Sequence, residues 1–182
     1  TDNDPNATPP NRLLNIIPGA DFGYEYRYGR SGRHPLVCWF GENPGTLGMI
    51  GALGEAACGV IPHGPGKLLS ASWTDNRVDL HVLQPHGDSF TASREPFLSG
   101  PDDFRPVHFS YSADGNYLYF TDWVKLSYPV HGHGRIWQVE FKQPVQMHPL
   151  PRTDVHQAVT AEESLVSLGS DDPYVRTHAI QF

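Results

Sequence analysis

The segment YLYFTDWVKLSYPVHGHGRIWQVEF, residues 117–141, contains two strand patterns separated by a polar loop. Large apolar residues alternate with other residues in YLYFTDW and again in GRIWQVEF, which is the period of a β-strand with one buried face. The loop between them holds Lys125, His131 and His133. This arrangement predicts either an ordinary long connection or the rim of a site built on a rigid sheet.

The same strand pattern occurs 50 residues earlier in the chain. KLLSASW aligns with YLYFTDW, so that Leu68 matches Leu118 and Trp73 matches Trp123. A repeat of about 45 to 50 residues made of short antiparallel strands is typical of β-propeller blades. The first set of predicted strands is CGVIP, KLLSASW, RVDLHVLQP and SFTASREPFL, and the second set is PVHFSYS, YLYFTDW and GRIWQVEF.

The end of the chain has a different pattern. Ala161, Leu165, Val166 and Leu168 have helical spacing, Gly169 can end that helix, and Asp172-Pro173 can begin another. A HEAT-type repeat and a simple helical cap both fit this pattern. The predicted fold is therefore mainly β, a partial β-propeller of two to three four-stranded antiparallel blades followed by a short α-helical, HEAT-like tail. The predicted division is 1–145 for C-terminal blades, 146–154 for a linker and 155–182 for the start of the helical region.

Charge and hydropathy exclude several classes of function. The chain has 13 Lys and Arg residues against 20 Asp and Glu residues, a net charge of -7 and no basic run, which argues against a nucleic-acid surface. No apolar run is long enough to predict a membrane span, and the chain shows no signal peptide. Cys38 and Cys58 fit no zinc spacing, so a disulfide and two free thiols both remain open.

Several residues are candidates for ligand contacts around the repeat. His131-Gly132-His133 would place two imidazoles on one side of an extended segment, as metal ligands or as part of an ordinary turn. Lys125 could face an anion or be solvated, and Trp123 could be a stacking platform or a core aromatic. Arg105 precedes the innermost predicted strand of its blade and is the strongest candidate for a ligand contact. Asp122, which directly precedes Trp123, is expected to cap the turn or to pair with Arg135.

Two further candidates lie near the N-terminus. Arg30, in YRYGRSGRHP, could bind a carboxylate in a bidentate manner. Asp2 and Asp4 are hard oxygen ligands of the kind that calcium prefers, although an Asx-rich turn is the simpler interpretation.

Two stretches carry a resemblance to a known family. NRLLNIIPGADFGYEYRYG, residues 11–29, resembles the glucose/sorbosone dehydrogenases through Asn15, Pro18, Gly19, Phe22 and Gly23, within a P-G-x-N-Y-G-W pattern. FRPVHFSYSADGNYLYFTDWVKLSYPVHGHGRIWQV, residues 104–139, looks like the last blade of planctomycete-type haem-binding, membrane-bound dehydrogenase-like proteins. Those proteins join such a propeller to HEAT repeats and a cytochrome c domain.

The resemblance implies a fragment of a quinoprotein dehydrogenase that oxidises a sugar or a sugar-derived alcohol with pyrroloquinoline quinone and calcium. The general base would then lie upstream of Thr1, and the isolated chain would be inactive. Electrons would pass to a cytochrome c domain of the same protein, in a periplasmic or secreted location. No C-x-x-C-H occurs, so no covalent haem is expected here. The alternative is a non-catalytic propeller that binds carbohydrate or a protein partner. The residues proposed for the cofactor are Arg105, Lys125, Arg30, Trp123, His131 and His133, with Asp2 and Asp4 for the metal.

Overall fold

The computed structural model describes residues 11–15, 49–54, 56–86, 89–146, 160–169 and 179. This part of the chain is mainly β and forms three antiparallel sheets of two, four and three strands, together with one short helix. The strands are β1 (Arg12–Leu14) and β2 (Met49–Ala52) in the first sheet, β3 (Ala57–Pro62), β4 (Lys67–Ser72), β5 (Arg77–His86) and β6 (Ser89–Ser99) in the second, and β7 (Pro106–Tyr111), β8 (Tyr117–Asp122) and β9 (Arg135–Glu140) in the third.

The seven strands predicted from the sequence are confirmed as β3 to β9. Strands β4 and β8 begin and end 50 residues apart, and each pairs with the next strand in the same register. Ser72 lies opposite Arg77, and Asp122 lies opposite Arg135. The repeat in the sequence is therefore a repeat in the structure, although the third sheet has three strands in the described part of the chain and not the predicted four.

The main hydrophobic core lies between the second and third sheets. Leu69, Ala71 and Val78 are fully buried on one side, and Leu118 with Phe120 faces them from the other. These residues alternate along their strands, so each sheet turns one apolar face inward. Because fully burying one Leu or Phe side chain contributes about 1.5–3 kcal/mol, this contact stabilises the pair of sheets.

The other face of the second sheet combines a second apolar cluster, in which Leu68 and Leu83 pack against Leu13, with buried polar groups. Ser70 Oγ lies 2.8 Å from His81 Nε2, and the Nε of Arg77 lies 2.7 Å from a carboxylate oxygen of Asp79. Ser72 donates to the second carboxylate oxygen of Asp79. Burial lowers the pKa of His81 to about 4, so this imidazole is neutral at pH 7.

A tight turn joins β7 to β8. Gly115 has φ +72 and sits against the chain that follows β9, where an added Cβ would lie 2.5 Å from the carbonyl oxygen of Val145. Asp114 accepts hydrogen bonds from Ser112 and Asn116, which lower the pKa of its carboxyl to about 2. Only glycine fits this position without strain.

The predicted helix at the end of the chain is confirmed as α1 (Ala161–Ser167). Thr160 and Glu163 form a capping box at its start. The apolar residues predicted to share one side, Leu165 and Val166 among them, are largely exposed, and the buried residue is Ser164. The second helix predicted at Asp172-Pro173 lies outside the described residues. No helix in the described ranges is long and apolar enough to cross a membrane.

Candidate functional site

An aromatic cleft of about 280 Å³ opens where the second and third sheets meet. Strands β3 and β7 begin at this end and β4 and β8 end there, because Ala57 pairs with Ser72 and Pro106 pairs with Asp122. The loop that joins β8 to β9 opens on the same end. The residues that line the aromatic cleft are Ala56, Cys58, Trp73, Val107, Trp123 and Tyr128.

The two tryptophans reach the aromatic cleft from equivalent positions of the repeat. Trp73 follows β4 and Trp123 follows β8, and the close packing of β3 against β7 brings the two strand ends together. Gly59 permits this approach, because a Cβ at this position would lie 2.6 Å from the carbonyl oxygen of Val107. Equivalent residues of neighbouring sheets therefore form one site.

The three aromatic rings are held differently. Tyr128 stacks on Trp73 with ring centroids 5.6 Å apart and an angle of 14° between the ring planes. The indole N–H of Trp123 donates to the carbonyl of Ser127, and His131 meets the Trp123 ring edge-on at 4.8 Å. Trp123 is thus fixed by its own loop, whereas the Trp73–Tyr128 contact depends on ring stacking.

Arg105, the strongest sequence candidate for a ligand contact, is 5% exposed. Its Nη1 donates to the carbonyls of Trp73 and Thr74, each at 3.0 Å, and its guanidinium carbon lies 5.6 Å from the centre of the Trp73 ring. A guanidinium that donates to two backbone carbonyls fixes the position of the residue between them. In this structure Arg105 orients Trp73 from the adjoining sheet.

Asp122 joins the loop to the third sheet. One carboxylate oxygen accepts the backbone N–H groups of Arg105 and Val124, both at 2.8 Å. The other accepts from the Nε of Arg135 at 3.1 Å and from the indole N–H of Trp137 at 2.8 Å, and the Nη2 of Arg135 forms an ion pair with it at 2.8 Å. The predicted turn cap and the predicted pair with Arg135 are both confirmed, and the side chain is completely buried.

The loop from 123 to 134 contains one unusual backbone conformation. Val124 has φ +74, a region that β-branched residues rarely adopt, and its N–H is held by Asp122. Gly132, near the other end of the loop, has φ +69. The intervening loop therefore begins and ends at residues in the left-handed region.

The histidine pair and the lysine of this loop are not part of the lining of the aromatic cleft. His131 and His133 stack at 5.6 Å, and His131 Nδ1 accepts the backbone N–H of His133 at 3.1 Å. Lys125 is exposed. No group of three or more His, Cys, Asp or Glu residues suited to a metal ion occurs within the described ranges. The candidates Arg30, Asp2 and Asp4 lie outside those ranges.

Cys58 lines the aromatic cleft as a free thiol, and Cys38 lies outside the described residues. Burial raises the pKa of the Cys58 thiol, and the sulfur contacts the carbonyl of Ala56 at 3.4 Å. A thiol with a raised pKa is a weak nucleophile at neutral pH. Cys58 therefore contributes neutral, polarisable surface to the aromatic cleft.

The sequence missed Tyr128, which contributes the third ring. No repeat mate marks this residue, because the connection between β4 and β5 is much shorter than the loop that carries it. The one available signal was an aromatic residue next to a proline, in Tyr128-Pro129, within a loop already considered a possible rim.

No protein-family model, curated protein or solved structure matches this chain. The aromatic cleft and the residues that position it are therefore the features of this chain that bear on its function.

Proposed function

We propose that this protein is a carbohydrate-binding β-propeller and that a sugar ring binds in the aromatic cleft. The observation that carries the proposal is the convergence of Trp73, Trp123 and Tyr128 on one opening between two repeated sheets. The C–H face of a pyranose stacks on aromatic rings, whose faces carry partial negative charge. The propeller part of the proposal is supported by the matched register of the two sheets and by their packing through β3 and β7.

The lining favours a neutral ring over a charged ligand. None of the six residues that line the aromatic cleft carries a charge, since Cys58 is protonated and the others are apolar or aromatic. The volume of about 280 Å³ lies just below the range of about 300–1,000 Å³ typical of sites for drug-sized ligands. A single sugar residue matches this space.

The test is titration of the protein with glucose, xylose and cellobiose, followed by calorimetry and tryptophan fluorescence. Trp73→Ala should weaken binding of the best saccharide by about tenfold or more, because stacking on a buried indole is lost. Tyr119→Ala is the matched control, since Tyr119 lies on β8 outside the aromatic cleft. Binding that Trp73→Ala leaves unchanged, or no binding of any of the three sugars, would exclude this function for the cleft.

Sugar oxidation with pyrroloquinoline quinone is the second candidate, and the resemblance of residues 11–29 and 104–139 to the quinoprotein dehydrogenases favours it. The cofactor's carboxylates require cations. Arg105 donates to backbone carbonyls, and the described lining of the aromatic cleft offers no positive charge, so the quinone does not fit this cleft. We therefore derive no catalytic step through it.

Calcium, a cytochrome c domain as electron acceptor and a periplasmic or secreted location belong to this second proposal. The protein would be titrated with the quinone and Ca²⁺ while absorbance and sugar-dependent dye reduction are recorded. Dye reduction that requires both additions would support the dehydrogenase. Saccharide binding without dye reduction would support the non-catalytic propeller instead.

A further inference from the structure

Tyr128 combines a specific contact with very high exposure. Its ring stacks on Trp73, which is 7% exposed, yet Tyr128 itself is 84% exposed. The other apolar side chains of the same part of the loop are also exposed, with Leu126 at 62% and Val130 at 91%. Tyr128 is thus held mainly by the one ring against which it lies.

The base of the loop is fixed more firmly than its tip. Asp122 holds the N–H of Val124, Trp123 holds the carbonyl of Ser127, and the ring of His131 packs on Trp123. Between Ser127 and His131 the chain carries Tyr128 away from these contacts. Among the contacts described, the tip is therefore held by fewer than the base.

We infer that Tyr128 is a displaceable lid that occupies the face of Trp73 in the free protein and leaves it when a ring-shaped ligand enters. The inference rests on the proposed binding of a sugar in the aromatic cleft, and it identifies the ligand as one with an apolar ring face, because it replaces a phenol ring. It also assigns different roles to the aromatic residues. Trp73 and Trp123 are the fixed walls, and Tyr128 is the occupant that the ligand replaces.

The first experiment uses p-cresol, the side-chain analogue of tyrosine, as the probe. Tyr128→Ala should bind p-cresol about tenfold more tightly than the unmodified protein, because the vacated face of Trp73 accepts the free ring. Tyr128→Phe keeps the internal ring and should behave like the unmodified protein, as should Leu126→Ala, which changes an exposed residue of the same loop. Equal p-cresol affinity in all four proteins would overturn the lid.

The second experiment uses cellobiose and protein labelled with 3-fluorotyrosine, in which Tyr128→Phe assigns the Tyr128 resonance. Cellobiose should shift this resonance because the ring leaves the face of Trp73, and Tyr128→Ala should bind cellobiose about 2- to 10-fold more tightly, since no internal ring competes. If Tyr128→Ala binds cellobiose more weakly than the unmodified protein, Tyr128 is a fixed wall of the aromatic cleft. That result would overturn the lid and leave the proposed function intact. If no variant binds cellobiose but Tyr128→Ala still binds p-cresol more tightly than the unmodified protein, the lid is retained and the proposed function is overturned.

Discussion

Asp122→Asn, at the end of β8, should destabilise the protein strongly. The carboxylate is completely buried and accepts from two backbone N–H groups through one oxygen. Asparagine can keep that oxygen as an acceptor. Its amide group, however, would place a donor against Arg135 and Trp137, which now donate to the second oxygen.

The magnitude follows from those contacts. Removing one partner of a buried ion pair costs about 3–5 kcal/mol, because the remaining charge is left without compensation. The Arg135 side chain is 35% exposed and keeps a 3.1 Å contact with Asp103, so solvent and this second carboxylate compensate for part of the loss. We expect a decrease of about 2–4 kcal/mol in the free energy of unfolding.

The assay is urea denaturation followed by circular dichroism, with Asp103→Asn as the matched control. Asp103 pairs with the same arginine, but its side chain is 55% exposed, so its loss should cost about 0–1 kcal/mol. Equal midpoints for the two variants would refute the assignment of Asp122 as the residue that joins the loop to the sheet.

Three further changes test other parts of the structure. Lowering the pH from about 6.5 to 4 should reduce the free energy of unfolding by about 2.5 kcal/mol, because His81 takes up a proton more readily in the unfolded state than when buried. Urea midpoints that decline equally in His81→Gln would contradict this. Gly115→Ala should lower the stability by about 1–3 kcal/mol through the clash with Val145 and the positive φ, and an unchanged melting temperature would argue against that turn. Arg105→Met should weaken saccharide binding through a displaced Trp73, so equal calorimetric affinity would remove its positioning role.

The strands were predictable because their signal is local. Alternation in YLYFTDW and KLLSASW fixes both the buried face and the offset of 50 residues, and the structure reproduces both. Strands β1 and β2 escaped prediction, since three and four residues are too few to show a period. The exposed apolar side of α1 shows the same limit, because helical spacing does not specify what covers a helix.

The site was predictable only in outline. The loop from 123 to 134 was identified as a possible rim, and Trp123 as a possible stacking residue, from residue types alone. The role of Arg105 depends on which carbonyls lie beside it, and these belong to a strand end more than 30 residues away in the chain. The position of Tyr128 depends on the path of the loop, which begins with Val124 in the left-handed region. No pattern of side chains indicates that backbone conformation.

Strand β9 is the last strand of the third sheet in the described part of the chain, and Ile136 on it is 75% exposed while Trp137 is 40% exposed. A strand edge with large apolar side chains is a template for pairing with another chain. Ile136→Lys should therefore improve solubility at high protein concentration without altering the fold. The exposed side chains of β9 are the simplest place to change how this protein behaves in solution.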